Sequence, residues 1–346
     1  MKINKSVIIY SLLFLSSFIG LTSYKSIYSI DQKENWIYMN YKSVKNKYLV
    51  RNKAELLNAI KTAKNNDLIY INDSAKIDLS DNNKIVIPGG VTLMSGRDQN
   101  SSKGALLYTK SLDAILFIVG GENVHFLGLR ISGPDTLKRT IQMAQLLKEG
   151  GHKSYYSIPV SRGIQSYFSR TEISNCEIWG WSHAAVFLKS NNNINCDSNY
   201  IHDNYIHHNQ RSGLGYGICL DNASALIERN IFDWNRHSIA GTGRPFTSYE
   251  ARNNVVKENS SSHAFDMHGG KDRKDNTDIA GSKILIHDNT FYLTSKPDVV
   301  IRGIPLIDCL VFNNIFSQKD SSLCIKQVNA IGNMKVYNNK YGVILK

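Results

Sequence analysis

The segment IHDNYI (201–206) is one of seven segments that share the pattern apolar-x-x-Asn-x-apolar. Subtracting the numbers of the fourth residue in successive segments gives spacings of 28, 26, 24, 35, 25 and 25 residues. A nearly constant spacing indicates one structural unit per repeat. The segments are ISNCEI (173–178), IHDNYI (201–206), IERNIF (227–232), ARNNVV (251–256), IHDNTF (286–291), VFNNIF (311–316) and VYNNKY (336–341), with Cys176, Asn204, Asn230, Asn254, Asn289, Asn314 and Asn339 at the fourth position.

Each repeat consists of short alternating runs of apolar and polar residues that are interrupted by Asn, Asp, Gly and Ser. This pattern is typical of strands and turns, and long amphipathic runs at helical spacing are absent. Propeller blades are longer than these repeats. The sequence therefore predicts an all-β solenoid of short parallel strands, in which the recurring Asn side chains form a hydrogen-bonded ladder at one turn.

The repeat resembles that of the right-handed parallel β-helix proteins of the pectin-lyase-like superfamily, over about Val50 to Lys346. The resemblance implies an all-β, right-handed parallel β-helix with a helix that caps its N-terminal end. The segment KAELLNAIKTAKNNDLIYINDSAKIDL (53–79) is similar to such a cap, because it reads as a short amphipathic helix followed by a strand. The apolar side of this helix carries Leu56, Leu57, Ile60 and Ala63.

The first residues, MKINKSVIIYSLLFLSSFIGLTSYKS (1–26), carry two lysines before an uncharged apolar stretch. This pattern is typical of an export signal or a membrane anchor, with a buried core segment as a third interpretation. It predicts a secreted, periplasmic or cell-surface protein. We divide the chain into a signal peptide or anchor at 1–30, a linker at 31–49 and a single β-helix domain at 50–346. An insertion at about 134–160 either walls a binding groove or forms a surface loop.

The charge of the chain favours an anionic partner, because Lys and Arg exceed Asp and Glu by 41 − 29 = 12. The charge leaves the chemistry of this partner open, and the resemblance implies an acidic polysaccharide. A nucleic-acid partner is not predicted, since no zinc finger, helix-turn-helix or RNP-type pattern is present. Contact with a membrane is expected only through the N-terminal segment, and the chain is expected to be a monomer.

The five cysteines are odd in number, scattered, and without C-x-x-C spacing. A disulfide framework or a structural zinc site is therefore not expected, and small buried thiols are predicted instead. The cysteines are Cys176, Cys196, Cys219, Cys309 and Cys324.

The segments that follow the Asn turns predict which side chains face outward. Alternate residues of a strand point to opposite faces, so each aligned segment contributes two inward and two outward side chains. The aligned segments are HAAVFL (183–188), YGICLD (216–221), HSIAGT (237–242), HAFDMH (263–268), PDVVIR (297–302) and SSLCIK (321–326). The predicted inward columns are Ala185, Ile218, Ile239, Phe265, Val299 and Phe187, Leu220, Gly241, Met267, Ile301. The predicted outward columns are Val186, Cys219, Ala240, Asp266, Val300 and Leu188, Asp221, Thr242, His268, Arg302, Lys326, with Tyr167 at the level of the second.

Three further groups are candidates for binding. His183, His237 and His263 form a predicted ladder, which either stacks for structural reasons or converges on an ion or a bound anion. The turn IAGTGRP (239–245) places Arg244 directly after a strand, where its guanidinium could bind a carboxylate. In YIHDNYIHHNQRSG (200–213), His207 or Arg211 is expected at the mouth of a groove, and the histidine spacing is not that of a zinc protease.

Pectin-lyase-like β-helices mostly bind or cleave long acidic polysaccharides, and the resemblance implies that role here. For β-elimination, His268 is the predicted base, Arg302 or Arg244 neutralises the uronate carboxylate, and Tyr167 is the candidate acid. Asp221 completes the predicted catalytic set. The predicted substrate-binding residues are Arg244, Asp266, His237, His263, Lys326 and Arg211. No cofactor is assigned, with Ca²⁺ on Asp221 or Asp266 as an alternative that two separated aspartates serve poorly.

Two alternatives remain open. The polygalacturonases of the superfamily carry aspartates on adjacent coils, and this chain has Ala240 and Gly241 where the second carboxylate is needed. Because glycoside hydrolysis normally needs two carboxylates, elimination is favoured over hydrolysis. A non-catalytic carbohydrate-binding or adhesion protein is the other alternative, since a fold does not imply an activity.

Overall fold

The computed structural model describes residues 44–99, 101–134, 145, 148–149, 159–191 and 194–344. The predicted signal peptide or anchor, most of the predicted linker and most of the insertion at 134–160 lie outside the described residues. The chain from Lys45 onward forms one compact unit. Its first strand begins at Lys47, inside the segment that we assigned to the linker.

Short strands make up most of the described residues. They are β1 (Lys47–Val50), β2 (Leu68–Ile71), β3 (Lys76–Asp78), β4 (Ile85–Ile87), β5 (Thr92–Met94), β6 (Leu106–Tyr108), β7 (Ile115–Val119), β8 (His125–Leu127), β9 (Arg130–Ser132), β10 (Arg162–Ser166), β11 (Glu172–Ser174), β12 (Glu177–Trp179), β13 (Ala184–Lys189), β14 (Asn199–His202), β15 (Tyr205–Asn209), β16 (Tyr216–Asp221), β17 (Ser224–Glu228), β18 (Ile231–Asn235), β19 (His237–Gly241), β20 (Ser248–Arg252), β21 (Val255–Val256), β22 (Phe265–Met267), β23 (Lys283–His287), β24 (Thr290–Phe291), β25 (Val299–Ile301), β26 (Asp308–Phe312), β27 (Ile315–Phe316), β28 (Ile325–Gln327) and β29 (Met334–Tyr337).

These strands form three sheets, and each coil of the chain contributes successive strands to them. Sheet A has the order β1-β2-β5-β8-β11-β14-β17-β20-β23-β26-β29, sheet B the order β3-β6-β9-β12-β15-β18-β21-β24-β27, and sheet C the order β4-β7-β10-β13-β16-β19-β22-β25-β28. Neighbouring strands within the sheets are parallel. The protein is a right-handed parallel β-helix, as the repeat predicted.

The core of the β-helix is built from inward columns on all three sheets. Phe291 of sheet B stacks on Phe316 at 5.0 Å between ring centroids and meets Phe265 of sheet C edge-on at 5.0 Å. The inward residues are fully buried, so each coil covers the apolar side of the next. One of the inward columns of sheet A consists of Ile173, Ile201, Ile227, Ala251, Ile286 and Val311.

The repeated asparagines form the predicted ladder at the turn between sheets A and B. The Nδ2 of Asn254 donates to the Oδ1 of Asn289 at 2.9 Å and to the carbonyl of Ile227 at 2.9 Å. The same bonds recur from Asn204 to Asn339. The residue before each asparagine adopts a positive φ, which lets the chain turn sharply and satisfies the buried amides.

The main helix, α1 (Lys53–Thr62), precedes the second strand of sheet A. Asn52 begins it, because its side chain accepts a hydrogen bond from the backbone of Glu55 at 3.0 Å. Leu56 and Ile60 are buried in the core of the β-helix. The helix is present where the sequence predicted one, and its capping role stays a prediction.

Two short helices follow, α2 (Gly270–Arg273) and α3 (Ser321–Cys324). In the part of the chain that the structure describes, no helix combines the length and the apolar character needed to cross a membrane.

Candidate functional site

The register of sheet C corrects all four predicted columns at β13, where Phe187 pairs with Cys219 of the first outward column. Val186, not Ala185, lies opposite Ile218, because His183 belongs to the turn and β13 begins at Ala184. Leu188 is therefore inward, and Lys189 takes its place beside Asp221. Lys326 pairs with Val300 and belongs to the first outward column, since α3 uses the residues that we had assigned to the strand.

The central part of the second outward column is as expected. Gly241, Met267 and Ile301 are register partners, so the residues that follow them, Thr242, His268 and Arg302, lie on successive coils. Asp221 precedes Thr242 by one coil, and the hydroxyl of Thr242 donates to its Oδ1 at 2.9 Å. Tyr167 follows Ser166, the partner of Leu188, and its hydroxyl accepts a hydrogen bond from Gln165.

Asp266 is the centre of a compact charged cluster on this face. Its carboxylate is fully buried, and Arg302 binds both oxygens, with Nε 2.8 Å from Oδ1 and Nη2 3.1 Å from Oδ2. The Nε2 of His263 lies 3.1 Å from Oδ1. Burial alone would raise the pKa of Asp266, but the hydrogen bonds with His263 and His268 hold it well below its usual range. Asp266 is therefore a permanent anion.

His268 pairs with this anion and remains accessible. Its Nε2 lies 2.9 Å from the Oδ2 of Asp266, and its side chain is 29% exposed. Its Nδ1 is 3.8 Å from the Oδ2 of Asp272 in helix α2. When Nε2 carries the proton and donates to Asp266, the lone pair of Nδ1 is available to accept a proton. The pair is thus an aspartate-oriented imidazole, a common arrangement for a general base.

His237 and Arg211, which were predicted to contact the substrate, are fully buried. His237 stacks on Tyr216 at 5.7 Å and on His263 at 4.1 Å, and burial places its pKa well below the usual range. Ala184 occupies the register position predicted for His183, and the ring of His183 meets Tyr216 edge-on at 5.7 Å. The Nη1 of Arg211 donates to the carbonyl of Pro159 at 3.5 Å. Neither side chain offers exposed surface to a ligand, and the same holds for Asp266, another of the predicted substrate-binding residues.

A cavity of about 770 Å³ opens beside Asp221, in the second outward column. Asp221 lies in it, with the Nζ of Lys189 2.9 Å from Oδ2 and the Nε of Arg244 2.9 Å from Oδ1. Burial would raise the pKa of Asp221, but the hydrogen bonds from Lys189 and Thr242 lower it. Arg244 is 57% exposed, so its terminal nitrogens can reach a ligand.

The sequence analysis missed three residues that line this cavity: Lys189, Phe246 and Lys283. Lys189 would have been found with the correct register of β13. Phe246 and Lys283 come from a loop and from the start of a strand of sheet A, and no spacing in the sequence relates them to Asp221. Three cations, Lys189, Arg244 and Lys283, line the cavity against two carboxylates, Asp197 and Asp221, and this small positive excess favours an anionic ligand.

The residues present do not fit a Ca²⁺ ion on Asp221 or Asp266. Both carboxylates are already bound by Lys or Arg, and two separate carboxylates do not form an oxygen cage. His237, His263 and Asp266 form the metal-like cluster within the described residues, with ligand atoms inside 4.8 Å of one another. The Nη2 of Arg302 lies 3.2 Å from the Nε2 of His263, so a guanidinium supplies the positive charge there.

No protein-family model and no curated protein matches the sequence. Among solved structures, an alginate lyase from Paenibacillus sp. str. FPU-7 aligns with a TM-score of 0.54 and 14% identity over 86% of this chain and 95% of that chain. The Dettilon tailspike protein aligns with a TM-score of 0.51 and 12% identity over 83% of this chain and 57% of that chain. A family 28 exopolygalacturonase of Yersinia enterocolitica aligns with a TM-score of 0.46 and 14% identity over 83% of this chain and 61% of that chain. At these identities the first two alignments establish the fold alone, a parallel β-helix.

Proposed function

We propose that the protein is a polysaccharide lyase that cleaves an acidic, uronate-containing polysaccharide by β-elimination. The observation that carries the proposal is the Asp266–His268 pair on sheet C, in the same outward column as the cationic cavity around Asp221 and Arg244. An alginate lyase shares the fold, and alginate is a polymer of uronic acids. Export to the cell surface or beyond is part of the proposal and rests on the N-terminal sequence.

The cationic cavity would bind the uronate carboxylate. Arg244 uses Nε for Asp221, and its terminal nitrogens bind the substrate carboxylate together with Lys189 or Lys283. Neutralising this carboxylate stabilises the negative charge that develops when the neighbouring C5 proton leaves. Arg302 does not serve as this clamp, because both of its contacts with Asp266 hold it in place as a positioning residue.

His268 would act as the base. Its Nδ1 accepts the C5 proton, the C–H electron pair forms the C4–C5 double bond, and the bond from C4 to the leaving O4 breaks. The departing oxygen takes a proton from water, because Tyr167 lies four coils from His268, roughly 19 Å along the axis. Asp266 keeps the imidazole oriented and stabilises the imidazolium that results. The step needs no nucleophile and no metal from the chain.

The test is the ultraviolet absorbance of the unsaturated uronate product while the full chain is incubated with a panel of acidic polysaccharides. His268→Gln should reduce the rate at least about a hundredfold, the lower range for a general base. His287→Gln is the matched control, because His287 also pairs with carboxylates, Glu250 and Asp288, but lies on sheet A.

Equal rates for His268→Gln and the natural chain would reject the assignment of the base. New reducing ends without ultraviolet absorbance would indicate hydrolysis. Binding without either signal would indicate a non-catalytic carbohydrate-binding protein.

A further inference from the structure

Aromatic rings line the outward face of sheet B, on a different sheet from the proposed catalytic site. The ring of His207 stacks on Trp179 of the preceding coil at 5.5 Å and 7°, and beside Tyr205 at 4.1 Å. The ring of His208 stacks on Trp234 of the following coil at 5.7 Å and 22°. We call these five residues, Trp179, Tyr205, His207, His208 and Trp234, the aromatic strip.

Two residues of the strip have a backbone conformation that is uncommon for residues other than glycine. His208 and Trp234 have φ angles of 55° and 51°, in the left-handed region that suits glycine. They occupy equivalent positions on adjacent coils, and the coil before them has Gly180, with φ 81°, at that position. The positive φ belongs to the turn before Asn209 and Asn235, whose side chains are hydrogen-bonded to each other at 2.8 Å, so the fold sets this conformation and leaves both side chains exposed.

Burial does not explain the rings. Trp234 is 40% exposed and its neighbour Ile231 is 42% exposed, so the strip presents apolar surface to water. The strip crosses three coils, β12, β15 and β18, which corresponds to roughly 10 Å along the axis of the β-helix. It is therefore an extended and partly apolar surface, in which His207 is buried while His208 and Trp234 are exposed.

Carboxylates flank the strip. The Oε1 of Glu177 lies 3.3 Å from the Nε2 of His207, and Asp233 immediately precedes Trp234 and accepts a hydrogen bond from Asn259 at 3.0 Å. Burial raises the pKa of the Tyr205 phenol, and the negative charges of Asp233 and Glu177 raise it further. Carboxylates accept hydrogen bonds from hydroxyl groups and repel phosphates and uronates.

We propose that the aromatic strip is a non-catalytic binding site for an uncharged polysaccharide segment, with sugar faces stacked on Trp234 and His208 and hydroxyls bonded to Asp233 and Glu177. The aliphatic C–H faces of a sugar ring pack on aromatic rings, while its hydroxyls need acceptors at the edge. A single-stranded nucleic acid would also stack, but its phosphates would meet the two carboxylates. The site would hold the protein on a glycan that its catalytic face does not cleave.

The test is binding of uncharged polysaccharides, such as a β-glucan, a galactan and dextran, measured by affinity electrophoresis and by tryptophan fluorescence. Trp234→Asn removes the ring and keeps a residue that tolerates positive φ. We expect binding to at least one uncharged polysaccharide, weakened about tenfold or more in Trp234→Asn. The unfolding midpoint of this variant should be unchanged or higher, because the strained ring is gone.

Tyr337→Ala is the matched control, because Tyr337 is 43% exposed and lies on sheet A. It should bind as the natural chain does. His268→Gln should retain this binding, and Trp234→Asn should retain lyase activity on short uronate oligosaccharides, so the two sites can fail independently. Absence of binding to every uncharged polysaccharide, or equal binding by Trp234→Asn, would overturn the proposal. So would a dimer that dissociates in Trp234→Asn, or binding of single-stranded nucleic acid in place of glycan.

Discussion

Asp266 keeps a negative charge without contact with solvent, which is costly for an isolated carboxylate. The cost is offset by Arg302, which binds both oxygens, and by two histidines. The same contacts fix the ring of His268. Stability and positioning therefore depend on one residue, which the sequence placed in the outward column but could not show to be buried.

Asp266→Asn should lower the free energy of unfolding by about 3 kcal/mol, because it leaves Arg302 half-buried without its partner. Asp272→Asn is the control, since Asp272 also contacts Arg302, at 3.4 Å, but is 28% exposed. Its effect should stay below about 1 kcal/mol. Urea unfolding measures both values, and equal losses would contradict the buried ion pair.

A second buried carboxyl, Asp298, behaves in the opposite way. Burial raises its pKa from 3.8 to about 8, and the amide of Gln318 donates to its Oδ2 at 2.9 Å. The fold thus favours the protonated acid. The stabilisation is complete below pH 3.8 and is lost as the pH rises through about 8.

Asp298→Asn should remove this pH dependence, because the amide keeps the shape of the neutral acid and does not ionise. The free energy of unfolding of the natural chain, relative to this variant, should fall steadily between pH 5 and pH 8, a window that lies within the range from 3.8 to about 8. Chemical denaturation at several pH values measures the difference. A difference that is constant with pH would show that Asp298 ionises normally.

Among the elements, the asparagine ladder is the feature that the sequence predicted best. One residue type at a regular spacing has one structural explanation, and the hydrogen bonds are those of the expected ladder. The strands of sheet C were harder to place. The coil that contains β13 has a turn that extends to His183, and a shift of one residue turns every side chain to the opposite face.

The candidate site was predictable only for residues whose positions follow from the repeat spacing. His268, Arg302 and Asp221 follow strands of known register and lie where we expected. Lys283 and Phe246 come from segments whose path the period does not determine. The burial of Arg211 and His237 depends on what packs over sheet C, which no local pattern specifies.

Asn254→Ala should lower the free energy of unfolding by about 3 kcal/mol, because Asn254 is buried in the middle of the ladder and its loss leaves amides on both sides unpaired. Asn339→Ala, at the last described rung, should have a smaller effect of about 1 kcal/mol, since water can replace its bonds. Guanidinium unfolding of both variants is the measurement. A larger loss for Asn339 would contradict a ladder that is strongest at its centre.

At the scale of the whole molecule, the net charge of +12 adds attraction to any polyanion. The charge of the chain predicted the sign of the partner, but it did not reveal that the aromatic strip carries carboxylates. The two proposed sites therefore differ in electrostatic character. The composition gives only the net charge of the whole chain, and the fold shows how that charge is distributed between the two surfaces.

Salt should separate the two sites. Raising the salt concentration from about 0.1 M to about 1 M shortens the screening length from about 10 Å to about 3 Å, so binding of acidic polysaccharide should weaken strongly. Binding of uncharged polysaccharide should change little. Isothermal titration at both concentrations measures the effect, and equal salt dependence for both ligands would mean that a single cationic surface binds them.

All five cysteines are free and buried, and they lie at several levels along the axis, with Cys309 and Cys324 on the same coil. Burial raises the pKa of Cys176 and Cys309 to about 12 and of Cys196 to about 11, so their thiols react slowly while the coils remain closed. Each thiol is thus a natural reporter of local opening. The order in which the five are labelled under native conditions would reveal at which coil the solenoid begins to unwind, without a single introduced probe.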